Sequence, residues 1–186
     1  MERFATTASP VVIMSTLYLL ACWAVDWFGA DTPPNGITIL PEQRGERVVR
    51  PMTRWLESVK ATHGLPTVRA LSDYILAPSS KDEDVETLRR VFRRWWTQGE
   101  VPPWSRVPHI ARSISEVLGK PVEQIRGQLT EALGMIRLMD GLLEYSLKIR
   151  DHLLPDYDPL SPFRGYPLMR SHALEVKAAL PLQPEQ

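Results

Sequence analysis

Apolar side chains recur at steps of three and four through most of this chain, which predicts helices. The clearest pattern is Val85–Gly99 (VETLRRVFRRWWTQG). Val85, Leu88, Phe92 and Trp95 fall on one helical face, and Glu86, Arg89, Arg90, Arg93 and Arg94 on the other. Gly99 and the pair Pro102-Pro103 stop that helix. Before it, Pro51–Thr62 places Met52, Trp55, Leu56 and Val59 on one side and closes at His63-Gly64. Pro66–Leu76 turns Val68, Leu71, Tyr74 and Ile75 inward, and Ser79–Asp84 reads as a polar loop. After it, Val107–Leu118 carries Ile110, Ala111, Ile114, Val117 and Leu118 at core spacing, ended by Gly119. Pro121 then opens a long helix to about Leu154, with Val122, Ile125, Leu129, Ala132, Ile136, Met139 and Leu143 stepping as a heptad seam. Gly127, Gly134 and Gly141 recur on its more polar side, where either a close backbone contact or chance accounts for them. Pro155–Pro167 reads as irregular and Leu168–Leu180 as a last helix before a loose end.

The N-terminus has a different texture. Phe4–Val25 runs 22 residues without a charge, densest over Val11–Val25, with Ser9-Pro10 as a helix start. Such a run is long enough to span a bilayer, which takes about 20 apolar residues. Tyr18, Trp23, Trp27 and Phe28 thicken towards one end as an interfacial belt would. A buried or docking helix fits the same residues, because Ser, Thr and Tyr dilute them. Leu19-Leu20-Ala21-Cys22 also matches a lipoprotein signal, although Arg3 beside Glu2 makes a poor positive leader. Asp31–Gln43 is a connector with a turn at Pro33-Pro34-Asn35-Gly36.

Composition changes this picture little. The 186 residues are 44% apolar and 24% charged, with formal net charge +0. That is enough apolar content for a core, and the balance exerts no global pull on polyanions. Its distribution is uneven: one basic and four acidic residues in 1–43, fifteen and ten in 44–126, six and eight in 127–186. The 17 prolines fall between the helices and in the tail as punctuation. Cys22 is the single cysteine, which excludes an intrachain disulfide and a cysteine-based zinc site.

Enzyme signatures are absent. His63, His109, His152 and His172 have no tight ligand spacing, and the nearest cluster, Asp151-His152 with Asp156 and Asp158, reads as a solvated turn. No glycine-rich phosphate loop or nucleophile elbow occurs. No catalytic residue, metal or cofactor is therefore assigned. What remains is the arginine row. Arg89/Arg93 and Arg90/Arg94 are two i,i+4 pairs that present guanidinium groups suited to phosphate. Glu86, four residues before Arg90, and Asp82–Asp84 allow a solvated, internally paired face instead.

Trp96-Thr97-Gln98-Gly99 with Pro103, then Leu118-Gly119 and Ile125, resembles the back half of the lambda-repressor-like helix-turn-helix family. Leu56, Val59, Gly64-Leu65 and Leu71 resemble its first two helices, so the likeness covers about Pro51–Ile125. The chain departs from that family in four places, one of them about three extra residues between Pro103 and Ile114. The early glutamine of the second helix is missing, the loop Ser79–Asp84 is long, and Asp82, Glu83, Asp84 and Glu86 crowd the start of the helix that would enter a DNA groove. The resemblance implies a prokaryotic or phage-type regulator of transcription, with Arg89, Arg90, Arg93 and Arg94 as the nucleic-acid-binding residues on double-stranded DNA.

The expected fold is all-α: a small helix-turn-helix-like bundle, a long C-terminal helix and a hydrophobic N-terminal helix. Its expected parts are a hydrophobic helix in 1–30, a linker in 31–49, the bundle in 50–126, a long helix over 121–154 that would pair with a second copy, and a Pro-rich tail with a short helix in 155–186. The expected location is cytoplasmic, with a transmembrane anchor in the inner membrane if residues 10–28 insert. The alternative function is a membrane-associated, non-enzymatic adaptor whose arginines dock an acidic protein partner or anionic lipid.

Overall fold

The computed structural model describes residues 10–22, 39–76 and 84–179. Three features of the sequence lie outside these residues: Ser9 with the aromatic residues Trp23, Trp27 and Phe28, the turn Pro33-Pro34-Asn35-Gly36, and the loop acids Asp82 and Glu83. Among the described residues the fold is all-α apart from one two-stranded hairpin. The chain divides into two compact units, one formed by Pro41–Asp140, the other by Met1–Leu40 with Gly141–Gln186.

The Pro41–Asp140 unit begins with β1 (Glu42–Arg44) and β2 (Arg47–Val49), paired antiparallel with Glu42 opposite Val49. This hairpin falls where the sequence reads as linker. Ion pairs hold it, since the Arg44 guanidinium donates to Glu42 and, at 2.7 Å, to Glu57 of the following helix. α2 (Pro51–Thr62) starts on a proline at its first turn and buries Met52, Trp55 and Leu56. α3 (Val68–Ile75) is capped by Thr67, whose hydroxyl accepts from the Ala70 amide at 3.0 Å. It buries Leu71, Tyr74 and Ile75 but leaves Val68 exposed.

α4 (Val85–Gln98) starts at Asp84, whose carboxylate accepts from the Glu86 amide and the Thr87 hydroxyl. Its buried face is Leu88, Phe92 and Trp95, each burial worth about 1.5–3 kcal/mol. Gly99 ends it in the left-handed region at φ +69°. A 3-10 turn at Trp104–Arg106 leads into α5 (Val107–Leu118), which buries Val107, Ile110, Ala111 and Ile114 and leaves Val117 exposed. α2 packs on α4, and α3 packs on α5.

The long helix α6 (Val122–His152) gives its residues up to Asp140 to this unit and the rest to the other. Of its heptad stripe, Ile125, Leu129, Ala132, Ile136 and Met139 are already buried in the single chain. A Cβ added at Gly127, Gly134 or Gly141 would meet nothing within 4 Å, so no close backbone contact explains these glycines.

In the other unit, α1 is the helix over residues 10–22, followed after Gly141 by the second part of α6, α7 (Ser161–Arg164) and α8 (Tyr166–Ala179). Phe163 and Tyr166 are its largest buried side chains from the C-terminal segment. The buried Ser146 hydroxyl donates to the Pro159 carbonyl at 2.7 Å, and Tyr18 hydrogen-bonds the His172 ring at 2.9 Å.

This unit corrects one expectation. Among the described residues no helix is long and apolar enough to cross a membrane, so the transmembrane helix over 10–28 and the inner-membrane anchor are withdrawn. The part described, residues 10–22, spans only about 20 Å at 1.5 Å per residue. Its apolar residues are also divided by face. Ile13, Leu17, Leu20 and Ala21 are buried, while Val11, Val12, Met14 and Leu19 are exposed. That one-sided stripe is the pattern of a helix packed on protein.

Candidate anion-binding surface on α4

Burial of Leu88, Phe92 and Trp95 fixes the rotation of α4, which puts Arg90, Arg93 and Arg94 on its open side and Arg89 at the flank. A hydroxyl bond from Thr53 to the Trp96 carbonyl, 3.0 Å, ties the last turn to α2. Arg90, Arg93 and Arg94 are exposed, and Arg89 is half-buried.

Two of the four are partly neutralised. Arg94 pairs with Glu100 at 3.2 Å, and Arg89 faces Asp73 of α3 at 3.8 Å. Both contacts are open to solvent, where an ion pair contributes about 0–1 kcal/mol, so neither removes the charge as a feature of the surface. Arg90 and Arg93 make no ion pair with a described residue. The start of α4 has the opposite sign. Asp84 is held below the usual carboxylate range by its bonds from the Thr87 hydroxyl and the Glu86 amide, and Glu86 stands beside it.

The structure splits the row in a way the i,i+4 spacing did not indicate. Arg89 and Arg93 turn towards α3 and line a cavity of about 250 Å³ with Arg69, Ser72, Phe92 and Trp96. Arg90 and Arg94 do not line it. Arg69 is the residue that sequence reasoning missed. It lies twenty positions before Arg89, and only the approach of α3 to α4 brings the two together. The cavity also explains why Trp96 is only half-buried while Trp95 is enclosed. The Arg89 Nε is shielded from solvent without a hydrogen-bond partner among the described residues, where its ion-pair contact is the long one to Asp73.

The other candidates resolve into local structure. Asp158 accepts from the Leu160 amide at 3.0 Å and pairs with Arg164, and Asp151 pairs with Arg150. His63 hydrogen-bonds Tyr74, and His172 bonds Tyr18. Among the described residues no three His, Cys, Asp or Glu side chains gather where they could hold a metal ion. Comparison with known proteins adds no relative: no family model, no curated protein and no solved structure matches the chain.

Proposed function

We propose that this chain is a DNA-binding regulator in which Arg89, Arg90, Arg93 and Arg94 meet backbone phosphates. The observation that carries this is the arginine row itself: exposed Arg90, Arg93 and Arg94 beside half-buried Arg89, on a helix whose opposite side is locked by Leu88, Phe92 and Trp95. The resemblance of residues 51–125 to lambda-repressor-like domains supports the same direction. Arginines held on a rigid element can track phosphates, and each neutralised phosphate adds about 0.9 to the slope of log affinity against log salt.

The test is fluorescence anisotropy with a labelled duplex over a salt series. Affinity should fall steeply with salt. Replacing Arg90 and Arg93 with Ala should weaken binding about tenfold or more and flatten the slope by about 2. Unchanged binding in that variant, or no duplex binding at low salt, would remove the reading.

A second reading is favoured by one observation. Asp84 and Glu86 put negative charge at the start of α4, where contacts to DNA bases are usually made. An acidic protein segment lying along the arginines and clear of that end would avoid the repulsion. In that case a polyglutamate peptide should compete with duplex at comparable charge concentration, and duplex affinity should rise when Asp84 and Glu86 are neutralised.

A further inference from the structure

We infer that the cavity between α3 and α4 is a binding site for a phosphate monoester carried on a flat aromatic body, the chemistry of a nucleoside monophosphate, and that its occupancy weakens the hold of α4 on DNA. The second half rests on the proposed function, and the first half does not.

Three arginines from two helices, Arg69, Arg89 and Arg93, line this one cavity, and among the described residues no carboxylate does. Like charges gathered in a shared recess repel, and the 3.8 Å contact from Asp73 to Arg89 offsets little of that. A phosphate monoester brings about −1.5 to −2 charges and three acceptor oxygens, which match forked guanidinium donors. The buried Ser72 hydroxyl adds a neutral donor on the same wall.

Size argues against inorganic phosphate alone. The cavity of about 250 Å³ is several times the roughly 30 Å³ share of a water molecule, and lies just below the range for small-molecule pockets, about 300–1,000 Å³. Phe92 and Trp96 also line the cavity, and the flat faces of indole and guanidinium groups both stack on aromatic rings. The lining therefore combines donors that suit a dianion with ring faces that suit a planar group.

Regulation follows from shared residues. Arg89 and Arg93 belong both to the recess and to the row proposed to meet DNA, whereas Arg69 belongs to the recess alone and Arg90 to the row alone. A ligand that uses Arg89 and Arg93 lowers what they offer to a duplex, and the coupling is reciprocal.

The test uses the full chain at low salt, with isothermal titration of adenosine monophosphate, inorganic phosphate and adenosine, and with the duplex assay in parallel. Adenosine monophosphate should bind one to one, inorganic phosphate at least tenfold more weakly, and adenosine more weakly still. Arg69→Ala should weaken adenosine monophosphate about tenfold and leave duplex affinity within about twofold. Arg90→Ala should do the reverse. Trp96→Leu should erase the preference for the nucleotide over phosphate, and circular dichroism of each variant reports whether it folds. Adenosine monophosphate should also raise the duplex Kd at least threefold.

Absence of adenosine monophosphate binding, phosphate binding just as tight, or wild-type nucleotide affinity in folded Arg69→Ala would overturn the site. Nucleotide binding with an unmoved duplex Kd would overturn the regulation. Nucleotide binding by a chain that binds no duplex at all would sustain the site and remove the proposed function instead.

Discussion

Gly99 is where the arrangement of α4 can be tested most sharply. Its φ of +69° is a conformation that costs an L-residue about 1–2 kcal/mol. The position is also crowded. A Cβ built there would lie 2.7 Å from Cδ and 2.9 Å from Cγ of Arg50, and nearer still to its Cβ. The far end of a flexible side chain could move away, but a Cβ moves only with its backbone. Arg50 is held further by two bonds to Asp140, 2.8 and 2.9 Å.

Overpacking of this kind costs about 1–3 kcal/mol. Ala also narrows the unfolded ensemble, which returns about 0.4–1 kcal/mol. The net expectation for Gly99→Ala is a loss of about 1–4.5 kcal/mol. Gly119→Ala supplies the control: its φ is +63°, yet an added Cβ would meet nothing within 4 Å. It should lose only about 0.5–1 kcal/mol. Urea unfolding followed by tryptophan fluorescence measures both. Equal losses in the two variants would show that Arg50 does not press on Gly99, and the account of how α4 is terminated would fail.

Other substitutions report on other parts. Trp95→Ala removes a side chain that is 1% exposed and should cost about 3–5 kcal/mol in the same urea assay. Tyr166 is buried, its hydroxyl has no hydrogen-bond partner among the described residues, and burial pushes its pKa up to about 12. The neutral form is favoured in the fold, so this contribution is complete below the unfolded value of 10.0 and disappears as pH rises towards 12. Tyr166→Phe should flatten that alkaline loss and be neutral or stabilising at pH 7. Asp84 has the opposite sign: its lowered carboxyl stabilises α4 above the ordinary value of 3.8, and the effect is lost as pH falls through the folded value. Asp84→Asn keeps a cap but should show a shallower acid transition, read by circular dichroism.

Helix positions were legible where caps and faces agree. Pro51, Pro66, Gly99 and Gly119 mark ends that the structure places within a residue or two, and Leu88, Phe92 and Trp95 form the inward face their spacing predicts. The hairpin was not legible because its strands are three residues long and depend on Arg44 reaching Glu57, a contact without local periodicity. The N-terminal run misled because an uncharged stretch reports average polarity, while the packing of α1 depends on which positions face inward. Arg89, Arg90, Arg93 and Arg94 were legible as a row. Their division between a recess and an outer edge was not, since it depends on Arg69 arriving from another helix.

Arg50 stands at the N-cap of α2, runs over the glycine that ends α4 and grips Asp140 of α6. Local fluctuations there cannot be independent, because releasing any one of the three segments frees the residue that fastens the other two. Amide hydrogens in the first turn of α2, the last turn of α4 and the stretch of α6 before Asp140 should accordingly exchange with solvent through one shared opening event, as a single cooperative block.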